Sequence, residues 1–119
     1  MFAYQKSIEL SMQIFQVSKS FPREEIYSLT DQIRRSSRSV TAAIAEAYRK
    51  RDYPRHFASK LTDGDAENSE TQVWLEYAFR CSYLPEVEYQ RLVGESEEVG
   101  KLINYMILNP GKFRVKKRE

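Results

Sequence analysis

The chain has 119 residues and a net charge of +2, with 41% apolar and 30% charged residues. This is the length of one domain with one core, and the composition suits a helical protein with polar outer faces. The low number of turn-forming residues, four Gly and four Pro, argues against a turn-rich β architecture, and the single Cys excludes an internal disulfide. No apolar run approaches the roughly 20 residues that span a bilayer, and the first residues lack a signal-peptide pattern. We therefore expect a cytoplasmic protein that does not associate with membranes.

Prolines and acidic residues divide the chain into four predicted helices. Pro22, Pro54 and Pro85 each accompany acidic residues, a pattern typical of helix starts. The segment 109–111, Asn-Pro-Gly, ends the last helix. The predicted helices cover about residues 4–19, 23–50, 54–82 and 85–108. Their short connections predict an all-α, up-and-down antiparallel four-helix bundle over residues 1–108, followed by a basic tail over 109–119.

Apolar and small residues recur at steps of three and four along each predicted helix, and these seams predict the core. The seam positions, in chain order, are Leu10, Ile14, Val17 and Phe21; Ile26, Leu29, Ile33, Ser37, Val40, Ile44 and Ala47; Phe57, Leu61, Gly64, Asn68, Thr71, Leu75, Ala78 and Ser82; and Leu92, Ser96, Val99, Ile103 and Met106. Gly64 predicts a close approach between helices, and Asn68 predicts a buried amide whose hydrogen bonds are satisfied.

The third helix carries a second apolar face, which at 100° per residue points away from the core seam. Its residues are Ala66, Val73, Trp74, Tyr77 and Cys81. An exposed patch that holds the only Trp is typical of an interaction surface, so we predict that it contacts another subunit. The alternative is that these aromatic rings lie flat on the surface.

Arginines form a stripe along the second helix and into the following turn. They are Arg34, Arg35, Arg38, Arg49, Arg51 and Arg55. Guanidinium groups suit phosphate, so the stripe is a candidate nucleic-acid site. They equally suit carboxylates, and i,i+4 spacing predicts ion pairs of Asp31 with Arg35 and of Glu46 with Lys50. A structural role or contact with an acidic protein are the alternatives. The tail adds a second basic group, Lys112, Arg114, Lys116, Lys117 and Arg118, which serves solubility or phosphate affinity.

No motif in the sequence indicates catalysis. His56 and Cys81 lie at opposite ends of the third helix, roughly 37 Å apart, too far to act as a base and nucleophile. The acidic cluster of Asp63, Asp65, Glu67 and Glu70 lacks the spacing of a calcium loop, which disfavours a metal-dependent nuclease. There is no second His for a zinc site and no Gly-rich phosphate loop. We expect no enzymatic activity, no catalytic residue, no metal, no cofactor and no small-molecule substrate.

Two segments carry a family resemblance. Residues 21–37 read FPREEIYSLTDQIRRSS, and residues 40–47 read VTAAIAEA. They resemble the four-helix-bundle proteins encoded within intervening sequences of bacterial large-subunit ribosomal RNA genes. The family pattern combines Phe-Pro, Tyr-x-Leu, Gln-Ile-Arg-Arg and Ile-Ala-Glu. Residues 67–71 and 74–75 resemble the third-helix signature of one branch, so the likeness covers nearly all of residues 1–108.

The resemblance implies a ring-like homo-oligomer, a pentamer, related to the accessory protein of diversity-generating retroelements, which works with a reverse transcriptase and nucleic acid. The chain departs from the family at Thr41, Ala43 and Ala47, where proline, asparagine and glycine are frequent. Because alanine replaces glycine, we expect the second helix to continue through Arg49. The leading hypothesis is a non-enzymatic oligomeric scaffold that binds RNA, DNA or a nucleoprotein. The alternative is a protein-interaction module whose basic stripe serves subunit contacts or an acidic protein, without nucleic-acid binding.

Overall fold

A computed structural model describes residues 1–115 of the chain. Four α-helices follow one another: α1 (Phe2–Ser18), α2 (Leu29–Arg49), α3 (Pro54–Arg80) and α4 (Glu86–Leu108). Each helix packs on the next, and α4 closes the bundle on α1, in a molecule 58 Å long and 25 by 18 Å across. The described residues contain no strand, which confirms the all-α up-and-down bundle. None of the four helices combines the length and apolar character that crossing a membrane requires.

The seams form the core as predicted. Seven predicted core positions are at most 2% exposed: Ile33, Val40, Ile44, Leu61, Leu75, Val99 and Ile103. Burying each such side chain contributes on the order of 1.5–3 kcal/mol. The bundle is therefore held by the residues whose spacing indicated it.

The start of α2 differs from the prediction. Pro22 begins a short 3-10 turn over Arg23–Glu25, and the α-helix begins only at Leu29. Ile26 is 49% exposed, so its placement in the core seam was wrong. The Glu25 carboxylate fixes this turn, because it accepts hydrogen bonds from Ser28 Oγ at 2.6 Å and from the Tyr83 hydroxyl at 2.8 Å.

The end of α3 also differs, since the helix stops at Arg80 rather than at residue 82. Ser82 adopts φ 63° and is exposed, so it is not a seam residue. The Tyr83 N–H donates to the Ala78 carbonyl at 2.8 Å, and the Ser82 N–H donates to the Phe79 carbonyl at 2.9 Å. This pair of bonds is a Schellman motif, which satisfies carbonyl groups that the helix end leaves unpaired.

Small and polar seam residues mediate the contacts of α3 as predicted. A Cβ atom at Gly64 would lie 3.2 Å from the Ala43 Cβ atom of α2. The Asn68 amide donates to the Ser96 carbonyl of α4 at 2.9 Å and accepts from Ser96 Oγ at 2.9 Å. Gly64 is therefore a close-packing position, and the buried Asn68 amide is satisfied.

The chain turns back after α4, which ends at Leu108 as predicted. The Phe113 ring packs 6.1 Å from the Phe57 ring and 6.3 Å from the Tyr105 ring. The Val115 N–H donates to Asp52 Oδ1 at 2.9 Å, beside the α2–α3 turn. The first part of the expected tail thus covers one end of the bundle, whereas Lys116, Lys117 and Arg118 lie outside the described residues.

Candidate nucleic-acid interface

One end of the bundle, which we call the basic end, brings together the start of α1, the α2–α3 turn, the end of α4 and residues 109–115. Antiparallel packing places these segments side by side. Residues 49–56 and 109–115 contain one acidic side chain, Asp52. They contain six basic side chains: Arg49, Lys50, Arg51, Arg55, Lys112 and Arg114. Five of the six are exposed, and Arg51 is partly exposed.

Aromatic rings hold several of these cations in place. The Arg51 guanidinium lies 4.2 Å from the Tyr48 ring centre and donates to the Tyr48 carbonyl at 3.0 Å. The Lys112 ammonium lies 5.2 Å from the Tyr105 ring centre and donates to its hydroxyl at 2.8 Å. Within residues 1–115, none of the six cations forms an ion pair. Their charge is therefore available to an anionic ligand.

The predicted arginine stripe separates into three groups, and the first of these faces α1. Arg34 Nε donates to Ser18 Oγ at 2.8 Å. The Arg34 and Arg38 guanidinium carbons lie 4.8 and 5.6 Å from the centre of the Phe15 ring. Part of their surface is thus covered by the protein's own α1.

The second group is Arg35 alone, which faces α3. Its guanidinium pairs with Glu67 at 3.1 Å and with Glu70, so the predicted pairing with Asp31 was wrong. Glu46 likewise pairs with Lys60 of α3 at 3.0 Å rather than with Lys50. Both corrections have one cause, since carboxylate and cation meet across the α2–α3 contact instead of along one helix.

The third group, Arg49, Arg51 and Arg55, remains together at the basic end. Sequence reasoning missed their neighbours Lys50, Lys112 and Arg114 as members of the same surface. Phe113 was the available signal, because an aromatic residue soon after a Pro-Gly turn favours a segment that folds back onto the core. The nucleic-acid role of all six predicted arginines stays a prediction.

An apolar cleft of about 370 Å³ opens at the basic end. It is lined by Met1, Phe2, Ala3, Tyr48, Leu102, Tyr105, Met106 and Phe113. Phe2, Tyr48 and Tyr105 are 76%, 40% and 44% exposed. Sequence reasoning missed this cleft because its walls come from α1, α2, α4 and the C-terminal segment.

The predicted outer face of α3 is largely exposed. Val73 and Tyr77 are 49% and 54% exposed, and Ala66 and Cys81 are exposed as well. Trp74 is the exception, since it is half-buried against the protein's own core and its Nε1–H donates to Glu70 Oε1 at 3.2 Å. The expectation that Trp74 points away from the core was therefore wrong. We call the remaining surface, Val73 with Tyr77, the α3 face.

A second exposed apolar surface, which sequence reasoning missed, lies on α1. Tyr4, Ile8 and Met12 are 37%, 38% and 53% exposed, and their i,i+4 spacing forms one stripe. Tyr4 and Ile8 also line a shallow groove with the small residues Ala42 and Ala45 of α2. We call this surface the α1 face. Because α1 packs on α2 and α4, it lies diagonally across the bundle from α3.

The acidic cluster contributes no metal centre in the described structure. Within residues 1–115, no group of three or more His, Cys, Asp or Glu side chains could hold a metal ion. Glu67 and Glu70 pair with Arg35 instead.

The fold defines the chain as an up-and-down four-helix-bundle protein whose described surfaces combine a basic end with two apolar faces. Residues 1–105 match the family model described as 23S rRNA-intervening sequence protein, and the chain belongs to this family. The bundle is similar to a crystal structure from Bacteroides thetaiotaomicron, of a protein of unknown function from the S23 ribosomal protein family. The two chains are 30% identical, the TM-score is 0.81, and the match covers 90% of this chain and 96% of that chain. No curated protein matches the sequence.

Proposed function

We propose that the protein is a non-enzymatic oligomeric scaffold whose basic end binds nucleic acid or a nucleoprotein. The observation that carries this proposal is the charge of residues 49–56 and 109–115 at that end, which hold six basic side chains and one acidic side chain. Cations that neutralise phosphates release condensed counterions, which is the main source of sequence-independent affinity.

The basic end is a better candidate for the phosphate-binding surface than the whole arginine stripe predicted from the sequence. Arg35 is already neutralised by two carboxylates, and a phosphate would have to displace them. A phosphate that binds Arg49 or Arg55 would have no carboxylate to displace, because both residues are exposed and form no ion pair within residues 1–115. Arg51 is held against Tyr48, which reduces the conformational entropy that it loses on binding.

The test is fluorescence anisotropy with labelled RNA and DNA at several salt concentrations. We expect the affinity to fall steeply with salt, with a log–log slope of about −0.7 to −0.9 per phosphate contact. A triple variant, Arg49→Ala, Arg51→Ala and Arg55→Ala, should weaken binding and make that slope shallower by about one per lost contact.

The control changes the same net charge at the opposite end of the bundle, where Lys19, Arg23 and Arg80 are exposed. Replacing these three residues by Ala should leave the affinity nearly unchanged. Equal loss in both triple variants would indicate a non-specific charge effect, and no binding by the wild type would contradict the nucleic-acid proposal.

The oligomeric part of the proposal rests on the two apolar faces. A ring requires two different, complementary patches on each subunit, because each contact is head-to-tail. We assign these two roles to the α3 face and the α1 face, which are both apolar and lie on diagonal helices of the bundle. The implied pentamer would repeat one contact between them around the ring.

The alternative function, a protein-interaction module without nucleic-acid binding, has its own supporting observation. Three of the six stripe arginines, Arg34, Arg35 and Arg38, already contact the protein's own α1 or α3. Under this alternative the wild type forms its oligomer but does not bind RNA or DNA at any salt concentration in the anisotropy titration.

A further inference from the structure

We propose that the apolar cleft at the basic end receives an unpaired nucleobase, so that the protein prefers single-stranded nucleic acid to duplex. The inference rests on the proposed function, because it assigns a ligand class to the same end of the bundle. It adds a binding site, the cleft, to the surface that attracts phosphates.

The walls of the cleft suit a flat aromatic ligand. Three exposed rings, those of Phe2, Tyr48 and Tyr105, line a volume of about 370 Å³. Pockets for small ligands measure roughly 300–1,000 Å³ and are mostly apolar, so this cleft has room for one base. Exposed aromatic rings lose apolar hydration when a base stacks on them, and each such stack contributes substantially to binding of single strands.

Charge complementarity specifies the rest of the ligand. Arg51 and Lys112 each contact a tyrosine of the cleft wall, so cations stand at its rim. A base that enters the cleft would place its flanking phosphates beside these two cations. An apolar peptide would pack against the rings but would not contact the two cations. A free anion would pair with the cations but would leave the rings exposed to water.

A duplex cannot use both features at once. Its bases are paired and stacked, so it presents phosphates to Arg51 and Lys112 but no free ring to the cleft. The side chains that line the cleft are apolar apart from two tyrosine hydroxyls, and the Tyr105 hydroxyl already accepts from Lys112. Recognition should therefore be tolerant of base identity, as it is where stacking rather than hydrogen bonding dominates.

The test compares a labelled single strand of about 20 nucleotides, longer than the roughly 4–16 nucleotides that one single-strand-binding fold covers, with the same strand annealed to its complement. We expect the wild type to bind the single strand about tenfold or more tightly. Tyr48→Leu keeps an apolar side chain but removes the ring, and it should weaken single-strand binding by about fivefold or more. Duplex binding should fall by less, because a duplex loses only the contribution of the Arg51 that the ring holds in place. Tyr48→Phe keeps the ring and should retain the wild-type preference.

Tyr27→Leu is the matched control, because Tyr27 is 92% exposed and lies at the other end of the bundle. It should retain the wild-type preference, and the thermal unfolding midpoint of each variant checks that the bundle is intact. If Tyr48→Leu lowers that midpoint, Tyr105→Leu is the second variant, with the same expectation. Equal affinity for single strand and duplex, unchanged by these substitutions, would overturn the cleft assignment while leaving the basic end as a binding surface. If neither ligand binds, the cleft assignment falls together with the proposed function.

Discussion

Ser82 occupies a backbone conformation that favours glycine. Its φ of 63° lies in the left-handed region, and it is the only described non-glycine residue with a positive φ. That conformation costs an ordinary residue about 1–2 kcal/mol, part of which glycine recovers despite its greater freedom in the unfolded chain. Ser82→Gly should therefore raise the free energy of unfolding by about 0.5–1 kcal/mol, measured by urea denaturation.

Ser69→Gly provides the contrast, because Ser69 is exposed in the middle of α3, where glycine is an unfavourable helix residue. It should lower the free energy of unfolding by about 0.5 kcal/mol. A loss in both variants would mean that the left-handed conformation of Ser82 costs less than the extra freedom that glycine has in the unfolded chain.

The hydrogen bond between Tyr83 and Glu25 makes the stability of the fold depend on pH. Bonds from Ser28 and Tyr83 hold the pKa of Glu25 below its usual 4.5, and the bond to Glu25 raises the pKa of Tyr83 to about 12. The contribution of Glu25 is thus present above pH 4.5 and is lost as the pH falls through its lowered folded-state pKa. The contribution of Tyr83 is present below pH 10 and is lost as the pH rises from 10 to about 12.

Ultraviolet titration of tyrosinate tests this assignment. We expect one phenol to ionise late, near pH 12, and Tyr83→Phe to remove that late step. Glu25→Gln should move the step toward pH 10, the ordinary tyrosine value, because it removes the charged acceptor. A wild-type titration in which every tyrosine ionises near pH 10 would contradict the hydrogen bond.

At the scale of the helices, substitutions at two glycines should change the free energy of unfolding in opposite directions. Gly64 lies against α2, where an added Cβ would meet Ala43 at 3.2 Å, whereas a Cβ at Gly94 in α4 would meet nothing within 4 Å. Gly64→Leu should lower the free energy of unfolding by about 1–3 kcal/mol through overpacking. Gly94→Ala should raise it by about 1 kcal/mol, because alanine is the better helix former and no neighbour opposes it. Circular dichroism melts measure both, and a stabilising Gly64→Leu would place that residue outside the core.

The helices could be predicted because their seams repeat over many turns, and one misplaced residue does not change the period. Their ends could not be predicted equally well. Pro22 followed by Glu24 and Glu25 fits a helix start, but the same residues form a 3-10 turn when Glu25 bonds to Tyr83. The partner lies 58 residues further along the chain, and helix-start rules use only neighbouring residues.

At the scale of the whole molecule, the surface sites could not be predicted fully from the sequence, because they depend on which distant segments the fold brings together. The rotation of 100° per residue placed Arg34, Arg35, Arg38 and Arg49 on one side of α2. It could not show that carboxylates of α3 neutralise Arg35. The basic end and its cleft are built from segments that are distant in sequence. Phe113 and Val115 bring Lys112 and Arg114 to the α2–α3 turn, a contact that no periodicity encodes.

Assembly is the remaining prediction at this scale, and it concerns the α3 face. Val73 and Tyr77 are about half exposed, and burying such side chains gains on the order of 1.5–3 kcal/mol each when complete. In a closed ring, this burial would stabilise every interface between subunits. Val73→Lys combined with Tyr77→Glu should therefore yield a smaller species in light scattering, while the helical circular dichroism signal stays unchanged. Trp74 is left intact, because it packs against the core and its loss would destabilise the bundle itself.

The matched control makes the same two kinds of substitution where no subunit contact is predicted. Val87→Lys with Tyr53→Glu changes residues that are 80% and 60% exposed, and it should retain the wild-type mass. If both double variants dissociate, the added charges rather than the α3 face are responsible. If only the α3 variant dissociates, the face is an interface, and a further variant at Met12 asks whether the α1 face is its counterpart. A wild-type mass of one 14.0 kDa chain at micromolar concentration would contradict the oligomer, because both apolar faces would then be stable in water without a partner.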